Sequence, residues 1–132
     1  MGYVVFLLKG KATIEKSRQA AAFEAIKKLV VTRGEDTFPF LNSAEFRSST
    51  DLVAALKAVR WEPELDDEEN IVSLFFTGEK LGDESSIFES IAPFVAPGSE
   101  IRMAGEDGQI WRWVFEHGMV KRQPGIISFV GE

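Results

Sequence analysis

The one histidine, His117, stands beside Glu116 at a glycine-marked turn, and the chain has no cysteine. A general base needs a nucleophile or proton donor within hydrogen-bond reach. No Ser or Thr lies near His117 in sequence, and no Gly-x-Ser-x-Gly elbow occurs in the chain. The plainer reading of His117 is a turn residue at the surface. Lack of cysteine removes disulfides, thiolate zinc ligands and thiol nucleophiles. Lys9-Gly10-Lys11 stands between an apolar run and a predicted helix, where backbone N–H groups hold anions. A lone glycine equally marks an ordinary turn, and no dinucleotide or Walker motif is present. No catalytic residue, metal ligand set or cofactor is assigned, and the reading leans away from an enzyme.

Carboxylates are the denser feature. Glu62, Glu64, Asp66, Asp67, Glu68 and Glu69 fall within eight residues. They lack the alternating Asp-x-Asp-x-Asp-Gly order that wraps calcium. The net charge of −6 divides as +4 over residues 1–60, −9 over 61–98 and −1 over 99–132. Clustered like charges repel, and a fold does not need all six. A dense negative patch steers and caps a basic protein, with a salt-dependent signature. The plainer alternative is that basic and acidic segments screen one another or face solvent. In charge and size the chain resembles small acidic inhibitors and immunity proteins that cap basic nucleases, an analogy that no motif supports. The expectation is a small acidic protein-interaction module that caps a basic protein partner through residues 62–69.

A third group surrounds the string Gly105-Glu-Asp-Gly-Gln-Ile-Trp-Arg-Trp113. Asp107-Gly108 between alternating runs predicts a hairpin with a two-residue type I′ turn. That places Ala104 opposite Trp111 and Arg102 opposite Trp113. His117-Gly118 predicts a second turn, returning through Met119 to Arg122. Arg102, Trp111, Arg112, Trp113, Glu116 and His117 then form a candidate ligand or interface face. One use is a small-ligand or enzyme pocket between this 99–123 meander and the aromatic segment 38–46. Another is a stacking platform for single-stranded nucleic acid, against which the acidic balance counts. The simplest use is core, with Arg102 and Arg122 lying over the tryptophan rings.

The elements that must position these groups follow from periodicity. Tyr3–Leu8 is apolar on both faces and predicts a central strand, ended by Lys9-Gly10-Lys11. Ala22, Ile26, Leu29 and Val30 line one face of a predicted helix over 14–33, with Thr13 as N-cap and Gly34 past its end. Asn42 and Glu45 suggest a capping box for a short helix. A further helix runs over 51–60 behind Thr50. Residues 61–70 read as an acidic loop, 71–76 as a second apolar strand, and 84–92 as a helix capped by Asp83. Ile126–Val130 suggests a short edge strand.

The order is that of an α+β protein, a single domain over 1–132. It predicts a mixed, mostly antiparallel sheet with a C-terminal β-meander and about three helices packed on it, loosely ferredoxin-like. If all helices lie on one side, the other face needs a cover. Segment 38–46 is the favoured cover, and a homodimer face, making the chain a structural homodimer, is the alternative. The six-residue apolar run at 3–8 is too short for a signal-peptide core or a membrane span, so no membrane partner and a cytoplasmic location are expected.

Overall fold

Helix caps and apolar runs set the order of elements. A computed structural model describes residues 2–128. It contains β1 (Val5–Ile14), α1 (Lys16–Arg33), α2 (Ser43–Ser48), α3 (Leu52–Ala58), β2 (Trp61–Leu65), β3 (Ile71–Phe76), α4 (Glu84–Ile91), β4 (Ser99–Gly105), β5 (Ile110–Glu116) and β6 (Met119–Pro124). Short 3-10 turns follow α1 and α4. The fold is α+β. One six-stranded sheet has the order β2-β3-β1-β4-β5-β6. Every neighbouring pair is antiparallel, so the sheet is not mixed. Four α-helices, rather than about three, pack on one face. From β1 to β4 the connectivity is the split β-α-β arrangement, and β5 and β6 extend it as the meander.

Local chemistry explains most element ends. Asn42 caps α2 by accepting from Glu45 N–H at 3.1 Å, but the expected capping box is incomplete: the Glu45 carboxylate accepts from the Asn42 side-chain amide, and the Asn42 backbone N–H donates to Ala58 O. Asp83 caps α4 through Ser86 N–H, as expected. Asp51, not Thr50, caps α3 through Ala54 N–H. Thr13 is not the cap of α1, because β1 continues through it and its N–H donates to Ser99 Oγ. The first turn of α1 is satisfied from afar, with Lys16 N–H donating to Asn70 Oδ1 at 2.8 Å.

Lys9-Gly10-Lys11 does not end β1. A bulge between Leu7 and Lys9 shifts the phase so that Ala12 and Ile14 point to the core. Gly10 lets Leu74 approach, for a Cβ there would lie 1.9 Å from the Leu74 carbonyl oxygen. No helix N-terminus adjoins this stretch, so it forms no anion cradle.

Residues 61–65, expected as loop, are the edge strand β2. Pro63 and the glutamates mislead because an edge strand tolerates both. The β4–β5 turn also differs. Gly105 N–H bonds to Gln109 O, leaving Glu106, Asp107 and Gly108 as a three-residue loop with Gly108 at φ 88°. Met103 therefore pairs with Trp111, and Arg102 with Arg112. A one-residue slip moves every side chain to the other face. The two-residue turn with both φ positive is His117-Gly118. Residues 126–128 form no strand, and 129–130 of the expected edge strand lie outside the described residues.

The core lies between the helices and the sheet. Fully buried Phe88 meets Trp61, Trp113 and Phe115 edge-on, with ring centroids 5.1, 5.0 and 5.9 Å away. Such pairs add about 0.5–1.5 kcal/mol each beyond the area they bury. Trp111 and Trp113 are core, and the Arg122 guanidinium lies 5.1 Å and 5.8 Å from their ring centroids. Segment 38–46 joins this helix side: Phe38 and Phe46 are buried, and Asn42 N–H bonds to Ala58 O at the end of α3. It does not cover the other sheet face.

Candidate functional site

The sheet face away from the helices is open, and its side chains follow from the strand registers. Glu64, Ser73, Lys11, Glu100, Val114 and Lys121 stand side by side across all six strands. One step along, Glu62 pairs with Phe75, while Lys9, Arg102, Arg112 and Gln123 adjoin on β1, β4, β5 and β6. Phe6 and Ala104 begin the next row. Phe6, Leu8 and Phe75 are 52%, 58% and 60% exposed, although they sit on the central strands β1 and β3. Grooves of about 660 Å³ and 360 Å³ cross this face, the first lined in part by Glu62, Glu64 and Phe75, the second by Leu8, Arg102 and Arg112.

Glu100 is the electrostatic hub of the face. It accepts from Arg102, and Arg112 lies 3.5 Å away. The Arg102 hydrogen bond holds its carboxyl below the usual carboxylate range, with the Arg112 and Lys9 charges adding to the effect. Arg112 also donates to Gln123 Oε1 at 2.9 Å. Acid therefore lies along the β2 edge, and base lies over β1, β4, β5 and β6.

The structure divides the six residues expected to share one face. Arg102 and Arg112 lie on the open face. Trp111 and Trp113 lie in the core on the opposite side, where Trp113 Nε1–H donates to Ser85 Oγ. Glu116 and His117 are exposed at the β5–β6 turn. Among the described residues, no main cavity joins the meander to segment 38–46, where the pocket was expected. The cavities lined by meander residues draw nothing from 38–46, and the one that reaches Phe46 draws nothing from the meander.

The acidic residues also separate. Glu62 and Glu64 project from β2 onto the open face, where Glu64 accepts from Ser73 Oγ. Asp66 organises the β2–β3 turn by accepting from the N–H groups of Glu68 and Asn70. The Asn70 backbone bond is the first cause of its depressed pKa. Glu69 pairs with Lys16 at 2.6 Å. Asp67 and Glu68 are exposed and form no ion pair among the described residues. Glu106 and Asp107 lie at the opposite end of the sheet, bonded to Val4 N–H and the Tyr3 hydroxyl, so they do not join this patch.

A buried charge centre went unnoticed in the sequence. Glu84, 2% exposed, accepts from Gly82 N–H at 2.6 Å and Trp61 Nε1–H at 3.2 Å. Arg60 lies 3.6 Å away, donates to Lys80 O, and is stacked near Phe40 and Phe76. Burial raises the Glu84 carboxyl and lowers the Arg60 guanidinium. Arg60 and Phe40 both have positive φ, 71° and 68°. Neither Arg60 nor Glu84 lines any of the main cavities, so the pair ties β2 to α4 and closes the end of the core.

Among the described residues no cluster of three His, Asp or Glu side chains is placed to hold a metal ion, and no helix is long and apolar enough to cross a membrane. No protein-family model matches the chain, and comparison with curated proteins and solved structures finds no significant match.

Sequence reasoning missed the open-face set Phe6, Leu8, Lys9, Lys11, Phe75 and Lys121. The signal was present in the two strands that read as apolar on both faces while the helices needed only one.

Proposed function

We propose that this chain is a protein-interaction module that binds through its open sheet face and carries out no reaction of its own. One observation carries the reading. Phe6, Leu8 and Phe75 are each more than half exposed on the central strands, while the helices occupy the other face. Large apolar side chains exposed on the inner strands of an uncovered sheet face, set among charged ones, favour a contact surface. The surrounding charges would orient the partner and exclude wrong ones. A cytoplasmic location belongs to this reading.

The test is photo-crosslinking in cells of the source organism. A benzophenone amino acid replaces Phe75 in one variant and Val31, 80% exposed on α1, in another. Adducts at position 75 and none at 31 support the reading. Equal labelling, or none at either position, overturns it.

A basic protein partner, capped as by an inhibitor or immunity protein, is the second reading. It is favoured by Glu62, Asp67 and Glu68, which are exposed and form no ion pair among the described residues. If it holds, the adduct at position 75 is a basic protein, and replacing those three side chains by their amides weakens its capture at low salt.

A further inference from the structure

We infer that the partner on the open face is a second copy of this chain, related by a two-fold axis parallel to the strands. The inference rests on the open face being a contact surface. A two-fold contact uses the same patch on both subunits, so that patch must complement itself. The row that crosses all six strands does so. In order it reads Glu64, Ser73, Lys11, Glu100, Val114, Lys121. An axis midway between β1 and β4, lying between two facing sheets, sets β2 over β6, β3 over β5 and β1 over β4 of the second copy. Glu64 then opposes Lys121, Lys11 opposes Glu100, and Ser73 opposes Val114. Every charge in the row meets its opposite, twice over. An axis running across the strands instead sets Glu64 on Glu64 and Lys121 on Lys121.

The next row agrees in part. Phe75 opposes Arg112, a cation–π arrangement, and Glu62 opposes Gln123. Lys9 opposes Arg102, a like-charge meeting. Glu100, bonded to Arg102 within the chain, lowers that cost. Leu8, pushed outward beside the bulge, adds apolar contact at the centre. Aligned sheets pack at roughly 30°. The central Lys11–Glu100 pairs lie near the axis and tolerate that angle, and the long Lys121 and Glu64 side chains span the shift at the edges.

The face is large enough. Six strands about 4.8 Å apart and about six residues tall give roughly 500–600 Å² of plane before side-chain relief. That is the order of the ~800 Å² per partner of a stable interface.

Sedimentation velocity across the micromolar range tests the inference, with a charge swap as the probe of register. The wild-type chain is expected to sediment as a dimer of the 14.7 kDa chain. Glu64→Lys and Lys121→Glu should each weaken the dimer at least tenfold while the dissociated chain keeps the wild-type far-UV circular dichroism, and each should lower the melting temperature only by the amount that lost association removes. The double variant, which restores opposite charges with reversed polarity, should recover dimerisation to within a few-fold of wild type. A monomer throughout the range overturns the inference. So does a dimer indifferent to both single variants, or a double variant that fails to recover. The crosslink at position 75 separates this failure from failure of the parent reading. Adducts with a different protein on a monomeric chain overturn the second copy and leave the open face as a binding surface. Retention of a single-stranded oligonucleotide by the monomer overturns the second copy and replaces the protein partner by nucleic acid. A monomer without adducts overturns both.

Discussion

Gly10→Ala tests whether close approach of β1 and β3 holds the sheet that presents the open face. An added Cβ would lie 1.9 Å from the Leu74 carbonyl oxygen and 3.1 Å from its carbon. An unstrained carbon–oxygen contact is about 3.3 Å or more. The two strands must therefore part by over an ångström at the sheet centre. The obstacle is backbone, so no side chain can swing away. Forcing extra volume into a close-packed site costs about 1–3 kcal/mol. Alanine's smaller unfolded-state entropy returns about 0.4–1 kcal/mol. The net loss is about 1–2 kcal/mol, or roughly 3–10 °C for a domain of this size. Thermal unfolding followed by fluorescence of Trp61, Trp111 and Trp113, all less than 10% exposed, reads the loss directly. Gly98→Ala is the control. Gly98 has φ 86° and nothing within 4 Å of its would-be Cβ. It should lose only the left-handed backbone preference, about 1 kcal/mol. A Gly10→Ala protein that melts with wild type, or above Gly98→Ala, would refute the steric argument.

Two further predictions concern ionisation. Tyr3 is the one tyrosine, and its hydroxyl is pushed up to about 12, first by its hydrogen bond to Asp107 and then by loss of solvent and the Asp107 and Glu106 charges. The stability from that bond is complete below the ordinary tyrosine pKa of about 10 and is lost as pH rises through the folded value. An absorbance titration of phenolate should show the raised midpoint in wild type and a clearly lower one in Asp107→Ala; a wild-type midpoint near that of free tyrosine sinks the idea. Glu84 is also raised, by burial, so its contribution is present at acidic pH and is lost as pH rises through its folded pKa. Glu84→Gln leaves one buried donor facing an amide and should be destabilised by about 1–3 kcal/mol in acid. Its deficit should shrink toward neutral pH in denaturant titrations, and a constant or growing deficit would contradict the assignment.

Several elements were legible because their signals are local. The Asn42 cap of α2, the Asp83 cap and the His117-Gly118 turn depend on residues a few positions apart. The strand β2 was not legible. Glu62-Pro63-Glu64 reads as loop until β3 lies beside it and makes it an edge. The β4–β5 register was not legible either, since Asp107-Gly108 serves a two-residue or a three-residue loop equally well. That single residue decided that Arg102 and Arg112 share a face while Trp111 and Trp113 enter the core.

The sequence by itself determined the α+β class, the caps of α2 and α4, the apolar central strands and the uneven charge. These arise from periodicity and composition, which act over a turn or a strand. Tertiary structure alone decided which face each strand residue occupies. It placed Lys11, Glu64, Glu100 and Lys121 in one row from four distant stretches. It also showed that the aromatic segment 38–46 packs with the helices and leaves the sheet open. Strand register and layer packing are settled by long-range contacts, and neither is written in the spacing of neighbouring residues.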